Sequence, residues 1–102
     1  YGLKSKVKFT RGKDMADYEW VTDTINLRPS YPSVKEFLIT TLHEIRHALD
    51  RKKMGVKKYE RAYVMAGEIA VQKGGDFHDD NYFEEIAEKW GRREYQKLKN
   101  KI

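Results

Sequence analysis

The sequence predicts an α+β fold in which a small antiparallel sheet of two or three strands is followed by three helices. Two observations support this prediction. Apolar and polar residues alternate near the start of the chain, as in half-buried strands, whereas after residue 33 apolar residues recur at helical intervals. Because the chain has 102 residues and no internal repeat, we expect a single domain over residues 1–102.

The strands are predicted at residues 4–9 and within residues 18–27. Basic and apolar residues alternate in the first segment until a turn signal, Arg-Gly-Lys-Asp, at residues 11–14. The second segment is rich in aromatic and β-branched residues, and a break is expected around Asp23. Pro29 then ends the pairing, because proline lacks the amide hydrogen that a sheet requires.

The first helix is predicted to begin at residues 33–36, Ser-Val-Lys-Glu, which have the pattern of a capping box. Gly55 marks its expected end, since glycine is common just beyond the last turn of a helix. One buried face is predicted between these points from residues at helical spacing: Phe37, Leu38, Thr41, Leu42, Ile45, Ala48 and Leu49.

Two further helices are predicted in the second half of the chain. The second covers residues 56–73, where Tyr59, Tyr63, Ala66 and Ala70 share one face, and Gly74-Gly75 is a strong signal for its end. The third follows an acidic turn at residues 76–81. It is marked by the apolar residues Phe83, Ile86, Ala87, Trp90 and Leu98, and its basic residues gather at its C-terminal end, as the helix dipole favours.

The motif His43-Glu44-Ile45-Arg46-His47 carries the clearest functional signal. On a helix, residues four apart point the same way, so both imidazoles can reach one metal ion. A catalytic zinc ion needs two such nitrogens, a third protein ligand and an open position for water, while Glu44 can accept the proton of that water. The motif therefore predicts a zinc-dependent peptidase acting on a peptide or protein, with His43 and His47 as ligands and Glu44 as general base.

Four later residues are candidates for the third zinc ligand: Glu60, Glu68, His78 and Glu84. Glu84 is favoured, because Glu88 follows one turn later and could orient a ligand histidine. Glu84 could instead complete a capping box with Asn81. His78 is the second candidate, since its loop could bring an imidazole over the metal. The two acids on the second helix have basic neighbours, and surface ion pairing explains them.

The region from residue 25 to residue 90 resembles a minimal zincin, the class of zinc peptidases in which a strand precedes the H-E-x-x-H helix. Residues 84–88, Glu-Glu-Ile-Ala-Glu, are similar to the segment that carries the third ligand in gluzincins such as thermolysin and the ImmA/IrrE-like proteins. This resemblance implies Glu84 as the ligand and Glu88 as its supporting acid. The chain also resembles small peptidase-like proteins encoded by bacteriophages.

A second resemblance leads to another ligand. Residues 25–27, the histidine motif and residues 78–83 together resemble SprT-like proteins, in which a later histidine closes the site. This resemblance implies His78 as the ligand and a DNA-associated protease as the function. Asp79 stands where those proteins usually have glycine.

The rival interpretation from another class is a non-catalytic binding or structural module that keeps the zincin fold, with a phage-associated protein as one form of it. Glu44 favours an enzyme, because a purely structural zinc site has no need of it and closes with a fourth protein ligand. For an enzyme, residues 24–27 are expected to form an edge strand that binds extended substrate. The oxyanion donor is left open among Tyr31, Tyr82 and His78.

Composition limits the other function classes. The chain carries a formal charge of +5 from basic runs at residues 51–53, 57–58 and 92–101. Such runs usually solvate helices, and no aromatic-interleaved basic motif supports nucleic-acid binding beyond a secondary property. The lack of cysteine excludes thiolate ligands and is consistent with a cytoplasmic location. No apolar run approaches the length of a membrane helix, so no membrane partner is expected.

Overall fold

The computed structural model describes residues 2–10 and 16–101, and the turn predicted at residues 11–14 lies outside them. Three strands precede three helices, which confirms the predicted α+β class and element order. The elements are β1 (Lys6–Phe9), β2 (Ala16–Glu19), β3 (Thr24–Leu27), α1 (Val34–Met54), α2 (Val56–Gln72) and α3 (Tyr82–Lys101). No helix in this part of the chain is both long and apolar enough to cross a membrane.

The sheet is mixed, with strand order β1-β3-β2. β2 and β3 pair in antiparallel fashion, with Tyr18 opposite Ile25, as predicted. β1 pairs with β3 in parallel, with Val7 opposite Ile25, so the prediction of a wholly antiparallel sheet is wrong for this pair. The reason is topological: the chain reverses between β1 and β2 and again between β2 and β3, so β1 and β3 run the same way when they become neighbours.

β3 is the central strand, and this corrects the expectation that residues 24–27 form an edge. All four of its residues are buried. The polar side chain of Asn26 has hydrogen-bond partners in spite of its burial, because its Nδ2 donates to Asp17 Oδ1 at 2.7 Å and to Glu19 Oε1 at 3.0 Å on β2. The strand edges of the described sheet therefore belong to β1 and β2.

The turn between β2 and β3 is held by a partly buried acid–phenol pair. Asp23 adopts φ 52° and interrupts the strand where the sequence predicted a break. Its Oδ1 accepts hydrogen bonds from Tyr18 Oη at 2.6 Å and from Ser5 Oγ at 2.8 Å. Arg51 of α1 contacts the other carboxylate oxygen at 3.8 Å and donates to the carbonyl of Trp20 at 2.7 Å. The turn is thus fastened to the C-terminal part of α1.

α1 is the central element of the fold, since it contacts β2, β3 and both other helices. Tyr18, Ile25 and Leu27 of the sheet pack on Ala48 of α1 and form the main core. The predicted ends of α1 are confirmed. Ser33 accepts from the amide of Glu36 at 3.1 Å, and Gly55, with φ 87°, donates its amide to Arg51 at 2.8 Å. The motif helix is therefore anchored at both ends.

Candidate metal centre

α1 brings His43, Glu44 and His47 together within one helical turn, and both histidines point toward Glu84 of α3. His47 and Glu44 are buried, with 3% and 5% of their surface exposed, and His43 is partly buried. A potential ligand atom of each of the three lies within 4.8 Å of the others. The helical spacing alone accounts for this cluster.

Glu84 of α3 meets both histidines. Its Oε1 lies 2.7 Å from His43 Nε2 and 2.9 Å from His47 Nε2. The capping-box alternative for Glu84 fails on geometry, because the amide of Asn81 donates to the carbonyl of His78 at 3.2 Å instead. Asn81 caps α3 by itself, with its Oδ1 accepting from the amide of Phe83 at 2.9 Å. The Glu84 carboxylate is therefore available to the two imidazoles.

This donor set fits a zinc ion. Tetrahedral zinc with bonds of about 2.0–2.1 Å has ligand atoms roughly 3.3 Å apart, and only a small separation of these side chains is needed to reach that spacing. Both histidines turn the same nitrogen, Nε2, toward one oxygen of Glu84. Two imidazoles and one carboxylate form the ligand combination of catalytic sites that keep a position for water.

The outer nitrogen of each histidine also has a partner. His43 Nδ1 lies 3.1 Å from Glu88 Oε2, and Arg92 donates to the other oxygen of Glu88 at 2.8 Å. His47 Nδ1 lies 3.1 Å from the hydroxyl of Tyr59. Such contacts fix which ring nitrogen is protonated and how the ring is turned. Glu88 lies where the sequence argument expected an acid to support a ligand histidine.

The charges of the site favour a bound cation. Burial lowers the pKa of His43, but its hydrogen bond to Glu84 and the charge of Glu44 outweigh burial and raise the pKa to about 9. Burial alone would raise the pKa of Glu84, yet hydrogen bonds from His43 and His47 hold it well below its usual range. Burial raises the pKa of Glu44 to about 7. Buried carboxylates thus draw positive charge, in the form of protons, onto this cluster.

The other candidate ligands lie farther out. Glu60 and Glu68 are exposed on α2, and Glu60 accepts from the indole nitrogen of Trp20 at 3.0 Å. His78 stands at the mouth of the site, with 65% of its side chain exposed. Its Nε2 lies 3.3 Å from Glu84 Oε2, the oxygen that faces away from both histidines, and its Nδ1 lies 3.2 Å from Asp79.

A cavity of about 160 Å³ leads to the cluster between β2 and the helices. Tyr18 of β2, Glu44 and His47 of α1 and Tyr63 of α2 are among the residues that line it. A wider groove of about 600 Å³ adjoins it and is also lined by Glu44. Within the described residues, the Glu44 carboxylate accepts no hydrogen bond from another side chain. It is a buried acid that faces open space.

The site predicted from the sequence did not include two residues that contact the cluster. Tyr59 and Tyr63 were interpreted only as part of the apolar face of α2, yet both hydroxyls contact the cluster. A signal for them was present: buried tyrosines need hydrogen-bond partners, and two of them four residues apart place both hydroxyls on one side of a helix.

Comparisons with known proteins give no relative: no family model, no curated protein and no solved structure matches the chain. The resemblance to zincins is therefore a hypothesis that depends on the motifs and on the geometry of the cluster.

Proposed function

We propose that the protein is a zinc-dependent metallopeptidase in which His43, His47 and Glu84 hold the metal. One observation carries this proposal: the Nε2 atoms of both motif histidines converge on a single oxygen of an acid from another helix, at 2.7 and 2.9 Å. Both histidines turn the same ring nitrogen toward this acid, which lies 37 residues beyond His47 in the sequence, as ligands of a single metal ion would. The buried acid Glu44 beside them supports catalysis over mere binding.

A bound zinc ion would supply Lewis acidity, polarising the scissile carbonyl and acidifying the attacking water. Glu44 takes the proton of that water on its carboxylate and later donates it to the leaving amine. Its position on the cavity wall, with no competing side-chain hydrogen bond among the described residues, leaves it free for this transfer. Glu88 and Tyr59 keep the two imidazoles oriented meanwhile.

Among the three oxyanion donors considered, His78 has the best position. Its imidazole lies at the cavity mouth, beside Glu84. Tyr31 is occupied elsewhere, since its hydroxyl accepts from the amide of Arg28 at 3.1 Å. Tyr82 is 61% exposed and packs against Phe83. His78 would donate a hydrogen bond to the oxygen on which negative charge develops.

The substrate is proposed to be an extended peptide bound along β2. This strand is an edge of the sheet, and its Ala16 and Tyr18 line the cavity that leads to Glu44. An added strand would take its main-chain hydrogen bonds from β2, which gives affinity without demanding one side-chain sequence.

A closed, non-catalytic zinc site is the second candidate, and one observation favours it. His78 Nε2 lies only 3.3 Å from Glu84 Oε2, so a small rotation could make His78 a fourth ligand. Four protein ligands are typical of structural zinc, and the protein would then be a binding module.

Metal analysis tests the proposed site, and loss of peptide cleavage in Glu44→Gln tests the proposed catalysis. The purified protein, stripped with a chelator and reloaded, should hold about one zinc ion per chain. His43→Ala and His47→Ala should lose it, whereas His78→Ala should keep it. The exposed acid Glu68 offers a matched control, Glu68→Ala. Equal zinc content in all variants would refute the site, and a loss in His78→Ala as large as in His47→Ala would favour the closed site.

A further inference from the structure

Two buried tyrosines of α2 contact two of the candidate ligands, His47 and Glu84. The Tyr59 hydroxyl lies 3.1 Å from His47 Nδ1, and the Tyr63 hydroxyl donates to Glu84 Oε2 at 2.5 Å. Tyr59 is 1% exposed and Tyr63 is 6% exposed. The two residues are four apart on one helix, so a single face of α2 meets ligands from both α1 and α3.

Each hydroxyl contacts the atom of His47 or Glu84 that does not point toward the other candidate ligands. His47 turns Nε2 toward the cluster and Nδ1 toward Tyr59, and Glu84 turns Oε1 toward the cluster and Oε2 toward Tyr63. A histidine that ligates through Nε2 carries its proton on Nδ1, which can then donate to the Tyr59 oxygen. The Tyr63 hydroxyl keeps Oε2 occupied and presents Oε1 alone to the site.

The phenols are themselves held rigidly. Asn81, which is completely buried, donates from Nδ2 to the backbone carbonyl of Tyr63 at 3.0 Å and caps α3 three residues before Glu84. The ring of Phe83 stacks on Tyr63, with centroids 6.1 Å apart, and packs against Tyr59 at 5.5 Å. The distance from Tyr63 to Glu84 is thus set by one short, buried connection between α2 and α3.

We infer that Tyr59 and Tyr63 are positioning residues, which orient His47 and Glu84 for the metal, so that α2 sets the affinity of a site to which it contributes no ligand. This inference depends on the proposed metal site. It also gives α2 a role beyond covering the core. Supporting hydrogen bonds of this kind typically change metal affinity by about 10–100-fold when they are removed.

Phenylalanine variants separate the hydroxyl from the ring. Tyr59→Phe and Tyr63→Phe keep the aromatic packing and remove one oxygen each, so both should fold. Zinc affinity, measured by competition with a chromophoric chelator, should fall by about 10–100-fold in each. Tyr95→Phe is the matched control, because Tyr95 lies on α3 near Lys35 and away from the cluster. It should bind zinc as the wild type does.

Double variants distinguish positioning from general packing. If Tyr63 acts through Glu84, then Tyr63→Phe should change zinc affinity by less than about 2-fold in a Glu84→Ala background. Tyr59→Phe should keep its full effect in the same Glu84→Ala background, because Tyr59 contacts His47 and not Glu84. An undiminished effect of Tyr63→Phe in the Glu84→Ala background would overturn the inference, because a packing defect does not depend on the ligand.

The inference and the proposed function fail in different ways. A wild-type protein that binds no zinc would refute both. If instead the wild type binds zinc and His43→Ala abolishes binding, while both phenylalanine variants match Tyr95→Phe, then the metal site stands and the positioning role alone is refuted.

Discussion

Replacing Glu84 with alanine is expected to weaken zinc binding more than any other substitution of a candidate acid. Four-ligand zinc sites in small domains bind with about 10–16 kcal/mol, or roughly 2.5–4 kcal/mol for each ligand. Loss of one ligand should therefore lower the zinc affinity by about 10²–10³-fold. This loss of zinc affinity is expected for Glu84 because its residue is only 8% exposed and its carboxylate lies within hydrogen-bonding distance of both histidines.

The assay is a zinc titration against a competing chelator at fixed pH and salt. Glu84→Ala is compared with His78→Ala and with Glu60→Ala and Glu68→Ala, whose acids are exposed on α2. The last two variants should bind as the wild type does. Circular dichroism of the metal-free variants checks that each one is folded.

One result would refute the reasoning directly. If His78→Ala lost zinc while Glu84→Ala retained it, the ligand would be the imidazole at the cavity mouth, and the 2.7 and 2.9 Å contacts of Glu84 would be only hydrogen bonds to the histidines. The protein would then be closer to the SprT-like interpretation than to the gluzincin-like one.

Three further predictions concern catalysis, metal and pH. Glu44→Gln should keep zinc but slow peptide cleavage by about 10²–10⁴-fold, and undiminished cleavage would exclude Glu44 as the base. Zinc at 100 times its dissociation constant should raise the free energy of unfolding by about 2.7 kcal/mol, with no gain in His47→Ala. Asp23→Asn, which tolerates the φ of 52°, should lower the free energy of unfolding by about 1–2 kcal/mol at pH 7. Burial opposes the shift, but hydrogen bonds from Tyr18 and Ser5 and the charge of Arg51 lower the pKa of Asp23. This difference should therefore shrink as the pH falls below about 4 and vanish below the lowered pKa of the folded state, and a gap that persists there would contradict the assignment.

The parts of the fold that depend on local signals could be predicted. Ser33 and Gly55 set the ends of α1, and its histidines share one side because residues four apart always do on a helix. The position of Glu84 beside them followed from one more step: the apolar face of α3 has to pack on the core, and the acid borders that face.

The remaining features depend on how separate elements meet. Strands of four residues have too little pattern to show whether β1 joins β3 in parallel or antiparallel, and nothing local marks residues 24–27 as central. The hydroxyl partners of Tyr59 and Tyr63 lie on other helices, 12 and 21 residues away in sequence. Periodicity identifies a buried tyrosine, but only the packing of three helices decides which polar atom its hydroxyl meets.

Gly91 of α3 lowers the stability of its helix at the point where the cluster is assembled. A glycine within a helix destabilises it by roughly 1 kcal/mol relative to alanine. Here, however, a Cβ atom would lie 3.3 Å from both the amide nitrogen of His43 and the carbonyl oxygen of Ile39. The backbones of α1 and α3 therefore pack closely at the turn that carries His43. Glu88 lies one turn before Gly91 on α3, and Glu84 lies one turn before that, so this close approach brings both acids to the imidazoles. The helix stability lost at Gly91 is therefore coupled to the close packing that lets Glu84 and Glu88 reach the histidines, as the proposed metal site requires.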